Sequence, residues 1–379
     1  MTTQIRFDDT VTPLPRITLG PAVAALPVRD EEDEIEGCLR ALGAQEGARL
    51  HAVVLCVNNT TDRTVARVDA IAPELPFAVH VLDVTLPPER ARAGVARRIA
   101  MEHAAERAGP EGVLLTTDAD GRVAPDWLKA NLTALRTGAD AVAGRAVIEP
   151  VGAKLIPAYL HELDARECAY AALLDEIASL IDPNPTDPWP RHDEHSGASI
   201  AVTVAAYRLA GGMPPVALGE DRAFFDALRR IDARIRHAPD AVVTVSARTV
   251  GRAAGGMADT MRSRIQALHS HLDDRLEPAV DSLRRTRLRA GLRAVWRSGT
   301  GTGRLPARLG MTPDTLAAAL SERYFGAAWM KIEAQSPRLR RRLVPLHDLA
   351  RQTACALRIR AVLTRPADRA DTLPAAAAE

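Results

Sequence analysis

Four short apolar runs, each closed by polar or charged residues and followed by a helix-length stretch, constrain this chain more than any other feature. They occupy residues 22–28 (AVAALPV), 52–57 (AVVLCV), 77–82 (FAVHVL) and 112–117 (GVLLTT). Each is too short for a buried helix and apolar at consecutive positions, the pattern of a strand covered on both faces. Between them lie segments with helical spacing: Ile35, Cys38, Leu39 and Leu42, then Val65, Val68 and Ile71, then roughly 89–107. Strands alternating with helices in this way predict an α/β fold with a mostly parallel sheet covered by helices.

In open parallel sheets, ligands sit beyond the carboxyl ends of the strands. Here those ends carry Arg29-Asp30-Glu31, Asn58-Asn59, Asp83 and Asp118-Ala119-Asp120-Gly121. The last is the most informative. Two carboxylates flanking one small residue repel each other unless a cation or a hydrogen-bond network holds them. Hard oxygen donors suit Mg²⁺ or Mn²⁺, which complete their shells with water and phosphate oxygens. A turn that caps the helix beginning near Trp127 is the plainer use of the same residues.

Composition excludes several classes. Aromatic residues make up only 3% of the 379, which argues against base-stacking platforms, so no nucleic-acid partner is expected. No apolar run approaches the ~20 residues that span a bilayer. The first residues lack a basic segment followed by an apolar core, so no signal peptide and a cytoplasmic location are expected. Cys38, Cys56, Cys168 and Cys355 are too dispersed for a zinc motif or a disulfide framework. No G-x-G-x-x-G follows any of the strands, which disfavours a dinucleotide oxidoreductase. The formal charge of +1 hides an asymmetry: residues 261–379 hold 22 Lys and Arg against 11 Asp and Glu, whereas residues 1–260 are net acidic. Two units follow from this, a ligand-binding domain over 1–255 and a helical, Arg-rich extension over 256–379.

Six blocks in order carry a family resemblance: ALPVRDEEDEIEGCL, VNNTTDRT, GVARRIAMEHA, LLTTDADGRVAPDWL, GASIAVTVAAYRLAGG and GEDRAFFDALRR. Together, over about residues 20–250, they resemble the family-two glycosyltransferases, which have the A-type, Rossmann-like glycosyltransferase fold. The resemblance implies transfer of a sugar from a nucleotide-diphosphate donor to an acceptor hydroxyl, with inversion and with Mn²⁺ or Mg²⁺. It places Pro27, Arg29 and Glu31 beside the nucleoside. Asn59 stands where the family commonly has an aspartate that meets the base, and Arg97 falls near the nucleotide. Asp118 matches a ribose or metal contact, Asp120 the metal ligand, and Glu220-Asp221 the catalytic pair in which the aspartate is general base. Asn58-Asn59 and Arg98 depart from the family pattern. They leave room for a second reading, a non-catalytic nucleotide-binding or scaffold protein derived from the fold.

Acceptor contacts are expected from the Pro-rich stretch after the helix at about 155–180, where Trp189 can stack on a sugar and His192, His195 and Ser196 can meet hydroxyls. His237 is a weaker candidate for a metal. Arg248 or Arg252 can clamp phosphate. Beyond them, 257–297, 312–334 and 337–363 read as helices, separated by the Gly-rich SGTGTGRLP. The arginine clusters at 284–289 and 338–342 can meet an acidic membrane surface, a phosphorylated acceptor or the acidic first domain, unless they are simply solvated helix faces.

Overall fold

The structure is a computed structural model and describes residues 18–154, 156–246 and 272–365. The chain divides into two compact units, Met1–Glu149 with Glu194–Gly256, and Pro150–Asp193 with Met257–Glu379. The stretch 150–193 therefore groups with the C-terminal helices. The boundary expected at 255/256, Arg248 and Arg252, the start of the helix expected at 257 and the last residues, 366–379, lie outside the described residues.

The first unit is built on an eight-stranded sheet of order β3-β2-β1-β4-β7-β6-β8-β5. Its strands are β1 (Ala22–Val28), β2 (Ala52–Asn58), β3 (Ala78–Val84), β4 (Val113–Thr116), β5 (Arg122–Val123), β6 (Ala141–Ile148), β7 (Ile200–Thr203) and β8 (Ile235–Val245). The first four are parallel, as their apolar runs predict; β7 runs antiparallel to both β4 and β6, making the sheet mixed. β3 departs from the expected double-sided burial. Its residues are half-buried or exposed because it forms the edge.

Strand residues alternate between two cores, which explains why the runs are apolar at every position. Ala24, Leu26, Val53, Leu55, Val113 and Leu115 pack with α1 (Ile35–Gly43), α2 (Thr64–Ile71) and α4 (Trp127–Arg136). Val23, Ala25, Val54, Cys56 and Leu114 face the other way. There they meet α3 (Ala93–Ala108), α7 (Val204–Leu209) and α8 (Glu220–Arg230). Pro27 is tolerated inside β1 because β4 ends opposite Ala25, so beyond that point β1 has a partner on one side only. A register shift between Ala143 and Arg145 bends β6 against β8. Gly144 makes this bend: a Cβ there would lie 2.3 Å from the Ala241 carbonyl oxygen. Burial pushes the Cys56 thiol up to about 12 and the Cys38 thiol well above the ordinary range, so both remain protonated packing groups.

The second unit contains α5 (Pro150–Ala153), α6 (Ala158–Ile181), α9 (Ala279–Ser298), α10 (Leu305–Leu309), α11 (Pro313–Leu320), α12 (Phe325–Gln335) and α13 (Leu349–Leu363). Tyr170, Leu174 and Ile177 of α6 share a core with Ala279, Val344, Leu349 and Ala356, and the Tyr170 hydroxyl donates to the Glu277 carbonyl (2.7 Å). A second core joins Leu288, Leu292, Leu316, Phe325, Trp329 and Leu339. The helix expected over 312–334 is two, α11 and α12, whose separation lets both pack into that core. The Trp296 indole N–H donates to the Glu322 carbonyl at the break (3.1 Å). The helix expected over 337–363 is confined to α13, since Pro345 has no N–H to continue one upstream.

Candidate active site

The carboxyl ends of β1 and β2 leave the sheet in the same way. Asp30 and Asn59 both sit at φ +51°, a region that Asn and Asp enter more readily than other side chains. The two loops are stitched together. The Thr61 N–H donates to Asp30 Oδ1 (2.7 Å), the Glu31 N–H to Thr64 Oγ1 (2.8 Å), and the Glu32 N–H to Asp62 Oδ2 (3.0 Å). The Thr64 hydroxyl in turn donates to Asp62 Oδ1 (2.5 Å). Asp62 holds these turns rigid, a role that sequence reading missed.

Asn59 is committed to the same scaffold. Its Nδ2 donates to the Leu86 carbonyl (2.9 Å), and its Oδ1 accepts from the Leu86 N–H (3.0 Å). The neighbouring Asn58, only 2% exposed, keeps Nδ2 without a hydrogen-bond partner. An amide nitrogen carries two N–H donors, so Asn59 keeps one beyond its bond to Leu86. Pro27 is buried within β1, the Glu31 side chain is buried at its end, and Arg29 is half-exposed with Nη1 donating to the Ala91 carbonyl (3.4 Å).

The centre of the site is Arg97, on α3. It is 3% exposed, on a buried helix face shared with Ala96, Ala100, Met101, Ala104, Ala105 and Ala108. Its Nη1 donates to Thr116 Oγ1 (2.7 Å) and to the Gly197 carbonyl (2.8 Å), its Nη2 to Asp118 Oδ1 (2.5 Å) and its Nε to Glu220 Oε1 (3.4 Å). One guanidinium fork thus joins β4, the Asp118 turn, the loop before β7 and the start of α8. Gly197 serves twice, because its N–H donates to Asp221 Oδ2 (3.0 Å). Asp221 Oδ1 accepts from the Arg222 N–H (2.7 Å), which holds the half-buried carboxylate in one orientation.

Two glycines make the network sterically possible. A Cβ at Gly197 would lie 2.7 Å from Arg97 Nη2, and one at Gly94 would lie 3.1 Å from Glu220 Cδ. Because the guanidinium is pinned on several sides, it cannot swing away to admit a methyl group. Gly197→Ala is expected to destabilise the protein by about 1–3 kcal/mol, the usual range for overpacking a filled site. Denaturant titration checks this; an unchanged midpoint would show that the fork yields easily.

Asp120 faces a small cavity of about 80 Å³ lined also by Glu34, Arg122, Glu149, Thr244, Val245 and Ser246. Arg122 Nη2 donates to Glu34 Oε2 (2.7 Å). Among the described residues no group of three or more His, Cys, Asp or Glu is arranged to hold a metal. Asp118 and Asp120 alone offer two hard carboxylates. That donor set fits Mg²⁺ or Mn²⁺ arriving with a diphosphate, since these ions take one or two carboxylates and complete their shells from phosphate and water.

His195 and Ser196 immediately precede Gly197. The His195 Nε2 receives a hydrogen bond from Arg229 Nη2 (2.7 Å) and lies 3.1 Å from His237 Nε2, while its ring centre lies 4.5 Å from that of Phe225, tilted by 45°. Ser196 Oγ accepts from the Ala198 N–H (3.3 Å). Trp189, 40% exposed, and His192 belong to the Pro-rich loop of the second unit. Arg98, the departure from the family pattern, pairs along the helix with Glu102 (2.7 Å).

Residues 24–180 match the model of glycosyl transferase family 2. This stretch belongs to that family. The family match and the eight-stranded mixed sheet together give the A-type glycosyltransferase fold expected from the sequence. Gly197, Glu220 and Asp221 lie beyond the matched residues. No curated protein matches the chain. Among solved structures, it is similar to the mannosyltransferase PcManGT of Pyrobaculum calidifontis in complex with GDP-Man and Mn²⁺. The identity is 18%, covering 85% of this chain and 89% of that one, with a TM-score of 0.40. It is also similar to S. aureus TarS 1-349 in complex with UDP, at 15% identity over 89% of each chain and a TM-score of 0.43. A third similar structure is glucosyl-3-phosphoglycerate synthase from Mycobacterium tuberculosis with Mn²⁺, UDP and phosphoglyceric acid. It has 15% identity over 71% of this chain and 78% of that one, with a TM-score of 0.36.

Proposed function

We propose that this family-two chain is a metal-dependent glycosyltransferase that moves a sugar from a nucleoside-diphosphate donor to an acceptor hydroxyl with inversion. The observation that carries the reading is the Arg97 fork, which draws Asp118 and the Glu220-Asp221 turn together around one buried guanidinium.

In this reading Asp221 takes the proton of the acceptor hydroxyl as its oxygen attacks the anomeric carbon. The bond from that carbon to the diphosphate oxygen breaks, and the nucleoside diphosphate leaves with the electron pair. A divalent ion, when bound, neutralises charge growing on the leaving diphosphate, and Asp118 and Asp120 would hold it. The backbone N–H groups of Gly197 and Arg222 aim the Asp221 carboxylate. Glu220, held by Arg97 and 17% exposed, anchors the turn rather than exchanging protons. Pro27, Arg29 and Glu31 border the nucleoside, with Asn59, half-buried beside them, as the amide that meets the base. His195 and Ser196, just before Gly197, are assigned to the acceptor.

A thermal-shift panel of UDP, GDP, dTDP, CDP and ADP, each with and without Mn²⁺, tests the proposal. One nucleotide is expected to stabilise the protein only with the metal, by about 2.7 kcal/mol at a hundred times its dissociation constant. No response to any of the five would count against a donor site.

A further inference from the structure

The second unit presents a surface that this reading leaves unused. Segment 339–344 is pinned at both ends. Leu339 is buried in the core with Leu288 and Trp329, and its carbonyl accepts from Arg285 Nη2 (2.7 Å). Val344 is buried with Tyr170 and Leu349, and its carbonyl accepts from the Leu272 N–H (3.0 Å). Between the anchors Arg340, Arg341, Arg342 and Leu343 are all exposed, Leu343 by 50%. The strap lies against the first turns of α9: Arg342 Nε donates to Asp281 Oδ2 (2.7 Å), and Arg341 Nη1 to the Arg275 carbonyl (2.5 Å). On α9 the exposed Val280, Arg284 and Arg287 follow at i, i+4 and i+7, one face of the helix.

Six arginines (284, 287, 338, 340, 341 and 342) thus share these two stretches of chain with two exposed aliphatic side chains, Val280 and Leu343. Asp281 offsets one charge, shared between Arg284 (3.0 Å) and Arg342. Glu333 is engaged by the half-buried Arg285 (2.5 Å) and lies 4.0 Å from Arg341. Arg338 and Arg340 make no ion pair among the described residues. No described helix is long and apolar enough to cross a membrane.

We propose that this face docks on the surface of an anionic lipid bilayer. Clustered arginines are drawn to anionic headgroups, and Leu343 and Val280 reach the headgroup–acyl boundary, where apolar side chains gain. A soluble polyanion would engage the arginines but gain nothing from the two exposed aliphatic side chains.

Co-sedimentation of the full chain tests this, with vesicles of phosphatidylcholine alone and of an equal mixture with phosphatidylglycerol, between 50 and 500 mM NaCl (about a threefold span of Debye length). Binding is expected only with phosphatidylglycerol and is expected to weaken as salt rises. The double variant R338E/R340E is expected to lower the partition coefficient at least about tenfold, and Leu343→Asp severalfold. All three positions are exposed, and unchanged melting of the variants confirms that they fold. Absence of sedimentation with phosphatidylglycerol would overturn the proposal. So would binding that Leu343→Asp leaves intact and soluble polyphosphate displaces, which would mark the face as a polyanion site.

Discussion

Asp221→Asn is expected to lower turnover about 10²- to 10⁴-fold while leaving nucleotide binding within a fewfold of the wild type. An asparagine keeps one oxygen to accept from the Gly197 N–H, so the turn retains its main anchor. What it loses is the ability to take a proton. Glu220→Gln is the informative contrast. Its carboxylate is occupied by Arg97 and little exposed, so the change is expected to lower stability more than turnover per folded molecule. Steady-state kinetics on the acceptor identified after the nucleotide panel, with melting curves for both variants, separates the two roles. Equal losses of turnover from both substitutions would return Glu220 to the chemistry, and full activity of Asp221→Asn would remove Asp221 from it.

Arg97→Met is expected to be the most destabilising single change in the first unit. Removing one partner from a buried ion pair costs about 3–5 kcal/mol because the remaining charge is stranded. Here the lower end applies, since Asp118 is 37% exposed and water can screen it, whereas Glu220 at 17% is left nearly dry. The Gly197 carbonyl and the Thr116 hydroxyl lose their donor as well. Arg97→Lys is expected to recover only part of the loss. An ammonium keeps the charge, but it lacks the planar fork that reaches four acceptors at once. Pairing Arg97→Met with Glu220→Gln is expected to recover more, because no unpaired carboxylate then remains beside α8. Denaturant midpoints for the three variants check the order; equal stability of Arg97→Met and the wild type would show that the fork does not hold the site together.

The parts of this arrangement that local pattern controls were legible in the sequence. Apolar residues at consecutive positions required two-sided burial, which placed β1, β2 and β4 within a residue or two of their observed bounds. The Asp118-Ala119-Asp120 turn stood out because two close carboxylates need a reason. Arg97 was legible as a candidate but not as a hub, since its partners lie at residues 116, 118, 197 and 220, and no local rule brings a carbonyl 100 residues away to a guanidinium. Glycine was the available signal: Gly94 and Gly197 lack side chains where Glu220 and Arg97 approach. Asn59 stood as a base contact through its place in the family pattern, whereas its pairing with Leu86 depends on how β3 leaves the sheet and has no local signal. The C-terminal helices were misjudged in length because the break at 321–324 lets α11 and α12 fold into one shared core, and Pro345 interrupts the stretch before Leu349.

The central claim is that the Asp118-Ala119-Asp120 turn receives a nucleoside diphosphate together with a divalent ion. Isothermal titration of the best nucleotide from the thermal panel into the wild type and Asp120→Asn, with and without Mn²⁺, tests it most directly. The expected result is binding that requires Mn²⁺ in the wild type and falls at least about tenfold in the variant, the loss of one charged ligand from a two-carboxylate set. Tight binding without metal, unchanged in Asp120→Asn, would contradict the account.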